Sequence, residues 1–223
     1  LLMLSCQANY LIVTQENSRL PDGTTLPRAD YLNVRSSIPE KKASPLNTEY
    51  LALPCYSDDD QIIRHKVYTI SYSGQHRQPY WVAYELTEAM TRSIVKRSDK
   101  FVPDPQVDEY SSTNEDYRKS GYDRGHLVPA GDMGYSETTM RESFYLSNMS
   151  PQAPAFNRGI WKKLETLVRT WVSEDSVLFV SAGGILDEPA GTIGTNRVTV
   201  PKRYFKVVLT IKDQEPKGIG FIL

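Results

Sequence analysis

The sequence predicts an α+β fold, in which a mixed or antiparallel central sheet is flanked by helices. Residues 67–72 and 80–86 are rich in β-branched and aromatic side chains on either side of a glycine-containing turn, which is typical of a β-hairpin. From residue 157 onward, apolar side chains recur at spacings of three and four, as in an amphipathic helix. Residues 177–180 and 204–211 are predicted as further strands, because β-branched, aromatic and other apolar residues dominate both.

The chain is predicted to form one domain preceded by an extended lead-in. Its 223 residues, of which 39% are hydrophobic, are enough to bury one sizeable core. Residues 1–60 lack sustained periodicity and carry scattered Pro, Asn, Ser and Asp, so the folded domain is predicted to span residues 61–223. The sequence stops within an apolar segment at residues 220–223, and we expect C-terminal residues of the domain to be missing from it.

The overall charge identifies no binding partner. The formal net charge is −1, so the composition is neither basic nor acidic. A protein of this composition that binds nucleic acid must concentrate Lys and Arg locally, or add positive charge through a metal ion.

The first six residues predict an export signal. The run Leu-Leu-Met-Leu-Ser followed by Cys6 resembles the end of a bacterial lipoprotein signal. It predicts a bacterial cell-envelope lipoprotein, attached to the membrane through acylated Cys6, or a secreted protein. A disulfide between Cys6 and Cys55, or an incidental cysteine, remains an alternative. No segment approaches the roughly 20 apolar residues of a membrane span.

One histidine stands in a setting suited to phosphodiester hydrolysis. His126 follows Asp123, Arg124 and Gly125, whereas His65 and His76 lie in or beside the predicted hairpin and are expected at the surface or at strand ends. A neutral imidazole can deprotonate water near neutral pH, and a guanidinium binds phosphate through paired hydrogen bonds. Gly125 is expected to allow a tight turn between the two. Taken alone, the four residues fit a salt-bridged loop equally well.

Further motifs follow this box in order. Asn148 lies 22 residues after His126, Asn157 lies at the start of the predicted helix, and Glu165 lies two turns into it. With these residues, the sequence resembles the DNA/RNA non-specific endonuclease family of the ββα-metal (His-Me finger) superfamily. The resemblance covers about residues 62–223 and rests on short motifs at residues 81–84, Arg97, Phe101, 104–105, 123–126, 148–152, Asn157, Glu165 and 200–206.

The resemblance implies a bound metal ion. Asn157 would be the one direct protein ligand of Mg²⁺, with Mn²⁺ or another divalent cation as an alternative. Glu165 would hold metal-bound water from farther away, because helical side chains lean towards the N-terminus. Asn157 as a helix cap and Glu165 as a solvated helix residue are the structural alternatives.

The resemblance also implies the remaining catalytic roles. His126 would be the general base that activates water, and Arg124 and Arg97 would bind the scissile phosphate. Asn148 would orient His126 or its loop, or be purely structural. Asp123 is expected to brace the loop. Other basic residues compete with Arg97 for its role, namely Arg92, Lys96 and Lys100.

The implied activity is sequence-non-specific, Mg²⁺-dependent hydrolysis of phosphodiester bonds in DNA and RNA. Both substrates would be bound through the phosphate backbone, and the oligomeric state stays open, with a homodimer as one option. Two rival functions remain: an inactive surface lipoprotein that binds nucleic acid, and a metal-dependent hydrolase of another kind, such as a phosphomonoesterase.

Overall fold

The computed structural model describes residues 53–54, 56, 61–107, 110–172, 176–212 and 215–223. The segment predicted as a lipoprotein signal, Cys6 and Cys55 lie outside the described residues, as does nearly all of the lead-in.

A six-stranded sheet forms the centre of the domain. Its strands have the order β1-β2-β3-β6-β9-β10, and every neighbouring pair is antiparallel. The strands are β1 Gln61–Arg64, β2 Tyr68–Ser73, β3 Gln78–Leu86, β6 Leu178–Gly184, β9 Tyr204–Lys212 and β10 Glu215–Ile222. The predicted hairpin is therefore confirmed as β2 and β3, and the two later predicted strands as β6 and β9.

Two small antiparallel sheets lie outside the central one. One pairs β4 (Asp123–His126) with β5 (Met149–Gln152), and the other pairs β7 (Pro189–Ile193) with β8 (Val198–Pro201). The sequence analysis predicted none of these four strands. Each has only four or five residues, which is too short for an alternating pattern to be distinctive.

The longest helix follows the β4–β5 pair. The predicted helix begins at Pro154 rather than at residue 157: α4 (Pro154–Phe156) passes through a π-helical segment (Asn157–Trp161) into α5 (Lys162–Trp171). Shorter helices are α1 Glu88–Thr91, α2 Asn114–Tyr117 and α3 Glu137–Ser143, and 3-10 turns span Ala130–Asp132 and Leu146–Asn148. In the part of the chain that the structure describes, no helix has the length and hydropathy needed to cross a membrane.

The helix packs on the sheet through its apolar side. Trp161, Leu164 and Val168 are at most 2% exposed and join one core cluster with Val82 of β3 and Val180 of β6. The sheet and α5 are amphipathic elements that bury their apolar faces against each other. This packing fixes the N-terminal end of the helix beside the β4–β5 pair, where the motif residues lie.

Candidate active site

The Asp123–His126 motif is a strand rather than a loop. β4 pairs antiparallel with β5, which places His126 opposite Met149 and Asp123 opposite Gln152. The expectation that Gly125 forms a tight turn was wrong. It lies inside the strand without a positive φ, and a Cβ there would collide with the side chain of Gln152. Glycine is needed at this position for a close approach between the two strands.

His126 is a buried, neutral imidazole. It is 8% exposed, and its ring centroid lies 5.6 Å from that of Phe101 and 4.6 Å from that of Phe144. Burial, with a smaller contribution from the positive charge of Arg97, lowers the pKa of His126 to about 3. Within the described residues, its Nε2 atom has no hydrogen-bond partner. The ring therefore has a free polar atom and carries no charge near neutral pH.

Two arginines stack on the rings that flank His126. The Cζ atom of Arg124 lies 4.3 Å from the centroid of Phe101, and that of Arg97 lies 4.9 Å from the centroid of Phe144. Such cation–π contacts hold a guanidinium in place without neutralising it. Of the four basic residues considered for this role, the structure brings Arg97 to the imidazole. Arg92 pairs with Glu88 of α1 at 2.5 Å and Arg97 with Asp99 at 2.6 Å. Arg97 differs in its contact with the Phe144 ring and in its effect on the pKa of His126.

Asn148 holds the backbone that follows His126. Its Oδ1 accepts a hydrogen bond from the Val128 amide at 2.9 Å, and its Nδ2 donates to the carbonyls of Val128 at 3.0 Å and Ser143 at 2.8 Å. Its own carbonyl accepts from Leu127 N at 3.1 Å. The fully buried Asn148 thus contacts the loop and not the imidazole itself.

Asn157 lies inside the helix rather than at its cap. Its backbone N–H donates to the Ala153 carbonyl at 2.9 Å, and its dihedral angles are helical. Nδ2 donates to Asp123 Oδ2 at 2.9 Å, and no hydrogen bond to Oδ1 is formed by the described residues. The non-helical backbone of Gly159 produces the π-helical segment here, and such segments often occur at functional sites.

Asp123 connects the β4–β5 pair to the helix. It accepts two hydrogen bonds from Arg158, from Nε at 2.8 Å and from Nη2 at 2.6 Å, besides that from Asn157. These bonds to Arg158 come first among the causes that lower the pKa of Asp123. The carboxylate is therefore occupied by the protein, as the sequence analysis expected.

The unsatisfied polar atoms suit a hydrated divalent cation. Gln152 is fully buried, and neither of its amide atoms has a partner among the described residues. Gln152 lies opposite Asp123 in the β4–β5 pair. Asp123 in turn binds Asn157, whose Oδ1 is also free. No group of three His, Cys, Asp or Glu side chains able to hold a metal occurs in the described part of the chain. Amide oxygens with few carboxylates fit Mg²⁺, which retains most of its water ligands.

Glu165 occupies a partly buried network of charges. Burial raises its pKa to about 7, against the opposing influence of Lys206, Arg169 and Arg97, while Asp132 raises it further. It is thus no ordinary solvated helix residue. No hydrogen bond joins it to Asn157 within the described residues, so the two lie at one site only if an intervening group connects them.

Three residues of this network were missed by sequence reasoning. Asp132 is buried and accepts hydrogen bonds from Tyr84 Oη at 2.8 Å and Arg169 Nη1 at 2.6 Å. Lys206 is 1% exposed, has no hydrogen-bond partner among the described residues and lies 4.6 Å from the Trp161 ring centroid. The sequence held a signal for two of them: Arg169 lies one turn after Glu165 on the predicted helix, and Lys206 lies inside an apolar strand. No sequence pattern marks Asp132.

Replacing Glu165 with Gln is expected to stabilise the metal-free protein at alkaline pH. The folded-state pKa of about 7 exceeds the ordinary glutamate pKa of 4.5, so folding loses stability as the pH rises from 4.5 through 7 and the buried carboxyl ionises. Glutamine does not ionise, and its advantage should reach on the order of 3 kcal/mol above pH 7 and vanish below the unfolded-state pKa. Denaturant unfolding in EDTA at pH 5 and pH 8 measures this.

Glu115→Gln is the matched control for this comparison, because the Glu115 side chain is 72% exposed. Its free energy of unfolding should differ from that of the wild type by a similar small amount at both pH values. A Glu165→Gln variant that gains nothing between pH 5 and pH 8 would contradict the raised pKa.

The two remaining histidines lie elsewhere. His65 directly follows strand β1, so it lies at a strand end, which was one of the two expected positions. It is not at the surface, because its side chain is 2% exposed and its Nε2 lies 2.9 Å from Asp104 Oδ2. His76 is half-buried and its Nδ1 lies 2.9 Å from Thr199 Oγ1. Sequence reasoning missed the burial of His65 because its partner Asp104 is 39 residues away.

Known proteins similar to this chain are nucleases. The mitochondrial nuclease EXOG of Danio rerio is 40% identical over 165 residues, which cover 69% of this chain and 48% of that protein. Nuclease C1 of Cunninghamella echinulata var. echinulata is 34% identical, with 72% of this chain and 70% of that protein covered. Human mitochondrial endonuclease G is 34% identical, with 67% of this chain and 54% of that protein covered. The chain spans about half the length of the EXOG relatives it matches.

These relatives overturn the predicted location. EXOG of Danio rerio, nuclease 1 of Schizosaccharomyces pombe and human endonuclease G are all named as mitochondrial proteins. The prediction of a bacterial envelope lipoprotein or a secreted protein was therefore wrong. A short apolar run that ends in a cysteine is too unspecific a signal to identify a lipoprotein, and nothing supports a lipid anchor at Cys6.

The fold and the family agree with the resemblance found in the sequence. A chain in the crystal structure of the EndoG/EndoGI complex superposes on this structure with a TM-score of 0.68 and is 33% identical to it in sequence. The alignment covers 74% of each of the two chains. This confirms the predicted ββα-metal nuclease fold. The family model described as DNA/RNA non-specific endonuclease matches residues 48–223. The chain therefore belongs to the DNA/RNA non-specific endonuclease family, a family of nucleases.

Proposed function

We propose that this chain is a Mg²⁺-dependent nuclease that hydrolyses phosphodiester bonds of DNA and RNA without sequence preference, with His126 as general base. The main support is the setting of His126: a neutral buried imidazole with a free Nε2, flanked by two arginine–aromatic pairs. A base requires an unoccupied basic nitrogen, and an anionic substrate requires positive charge beside it.

His126 takes a proton from the attacking water at Nε2. In the free protein its pKa of about 3 makes it a weak base. A phosphate held by Arg97 and Arg124 brings negative charge close to the imidazole, and this charge raises the pKa towards neutrality. Substrate binding therefore strengthens the base at the moment it is needed. The rings of Phe101 and Phe144 keep bulk water away from the imidazole.

Asn157 and Glu165 are the residues proposed to hold the metal. Asn157 would hold the ion directly through its free Oδ1, and Glu165 would hold it indirectly, through water. When bound, a divalent cation acts as a Lewis acid that stabilises charge on the leaving oxygen. The family is one of metal-dependent nucleases, and Mg²⁺ is preferred here because the protein offers one amide oxygen and few carboxylates.

The absence of sequence preference follows from what the site offers. Arg97 and Arg124 bind phosphate groups, and phosphate contacts fix the register of a strand without reading its bases. A site of this kind accepts both sugars, provided that the 2′-hydroxyl meets no obstacle.

Cleavage assays with the purified protein test the proposal. We expect nicking of a supercoiled plasmid and degradation of an RNA transcript in Mg²⁺, no product in EDTA, and cut positions spread over the whole sequence. Binding of either polymer without cleavage in Mg²⁺, Mn²⁺ or Co²⁺ would instead indicate an inactive nucleic-acid-binding protein. Hydrolysis of p-nitrophenyl phosphate without cleavage of polymers would indicate a phosphomonoesterase.

A further inference from the structure

We propose that Asn114 is a positioning residue that fixes the guanidinium of Arg124 for phosphate binding. The Oδ1 atom of Asn114 accepts a hydrogen bond from Arg124 Nη1 at 3.0 Å, and its Nδ2 donates to the carbonyl of Phe101 at 3.0 Å. The Asn114 amide thus connects Arg124 to the backbone of Phe101, and Arg124 also stacks on the ring of Phe101. The inference rests on the proposed function.

Asn114 is the first residue of helix α2, and hydrogen bonds hold this helix in place. Thr113 N and Oγ1 donate to the Asp116 carboxylate at 2.7 and 2.9 Å, which fixes the first turn of α2. The backbone N and the Nδ2 of Asn196, in the β7–β8 turn, donate to the same buried carboxylate at 3.0 and 2.8 Å. Tyr117 is 5% exposed and packs in a core cluster with Met149 of β5. Helix α2 is therefore a rigid support for Asn114.

The chemistry of the acceptor matters as much as its position. No ion pair is formed by Arg124 with any carboxylate in the described ranges, and Asn114 Oδ1 is the acceptor that the structure gives it. A neutral amide orients the guanidinium and leaves its full positive charge for the phosphate. A carboxylate in the same place would orient it equally well but would neutralise that charge. Arg97 differs, because Asp99 pairs with it at 2.6 Å in solvent.

A double-mutant cycle on cleavage of a DNA duplex tests the proposal. We expect Asn114→Ala to lower kcat/KM about 10-fold, because a misplaced binding group weakens transition-state stabilisation, and Arg124→Ala to lower it about 100-fold. In Asn114→Ala/Arg124→Ala, removal of Asn114 should add less than about twofold, since its effect passes through Arg124. Losses that multiply independently would overturn the proposal.

Asn114→Asp separates orientation from charge. This variant keeps an acceptor oxygen for Arg124 but compensates its charge, so we expect a several-fold rise in KM with a smaller change in kcat. A purely structural role for Asn114 would leave KM unchanged in both single variants and would appear only in the thermal midpoint. That result would overturn the proposal.

Arg118→Ala is the matched control, because it removes an exposed ion pair with Glu115 of the same helix, at 3.0 Å, without touching Asn114 or Arg124. Its kcat/KM should stay within about threefold of the wild type. The cycle remains informative if Asn114→Ala folds poorly, because a folding defect also lowers activity in the Arg124→Ala background. If the wild-type protein cleaves nothing, the proposed function fails. If it cleaves but the cycle is additive, only the inference on Asn114 fails.

Discussion

Replacing His126 with Ala is expected to lower kcat/KM for DNA cleavage by about 10²–10⁴-fold, the usual effect of removing a general base. His126 has a free Nε2 atom and lies between the rings of Phe101 and Phe144, on which the two arginines stack. No other histidine of the described residues contacts these two rings. Asn148 and Trp161 hold the surrounding backbone through Val128 and through the His126 carbonyl. These contacts do not involve the imidazole, so the fold should persist.

His76→Ala is the matched control for this variant, because it removes a half-buried imidazole whose partner, Thr199, lies on β8. It should cleave at close to the wild-type rate. His126→Ala should still bind a DNA duplex in the presence of EDTA with an affinity within a few-fold of the wild type. Cleavage by His126→Ala at nearly the wild-type rate would remove this residue from the mechanism.

The same variant changes how stability depends on pH. The pKa of His126 is about 3 in the folded protein, against an ordinary histidine pKa of 6.5. Between these values the unfolded chain binds a proton that the folded protein does not, so this histidine makes folding less favourable as the pH falls from 6.5 towards 3. His126→Ala should therefore lose less stability than the wild type over this range, as denaturant unfolding at pH 7 and pH 4.5 would measure.

The sequence predicted those parts of the fold that depend on local patterns. The hairpin of β2 and β3 and the helix α5 follow from β-branched runs and from helical spacing, and both are confirmed. The strands β4 and β5 were missed although the motifs lie on them. Their pairing joins residues 123–126 to residues 149–152, and a contact across that distance leaves no mark in either short segment.

In the candidate site too, local motifs could be recognised from the sequence, whereas contacts between separate segments could not. Residues that belong to short motifs, such as His126 and Asn157, could be proposed from the sequence because each motif lies in one segment, and their roles stay predictions. Asn114, Asp132 and Lys206 were not proposed, because their contacts join different segments and are set by tertiary packing. Gly125 was found but explained wrongly, since its role depends on Gln152 of the opposite strand.

Replacing Asn157 with Ala is expected to raise the Mg²⁺ concentration for half-maximal cleavage by about 10–100-fold, with part of the rate recovered in excess metal. The free Oδ1 of this side chain is the proposed metal ligand, whereas its Nδ2 is occupied by Asp123 at 2.9 Å. Alanine suits a helical backbone, and Asn157 is not a helix cap, so the variant should unfold at nearly the same temperature as the wild type. DNA binding in EDTA should change little.

Arg158→Ala distinguishes a metal ligand from a structural contact. Arg158 also binds Asp123, at 2.6 and 2.8 Å, so its removal disturbs the same carboxylate but leaves Asn157 Oδ1 in place. The Mg²⁺ dependence of this control should match that of the wild type, whatever happens to its KM for DNA. If Asn157→Ala and Arg158→Ala instead shift the metal titration equally, Asn157 affects metal binding indirectly, through Asp123 and the β4–β5 pair. If neither variant shifts it, the metal binds elsewhere, because the loss of a sole protein ligand must weaken binding of the ion.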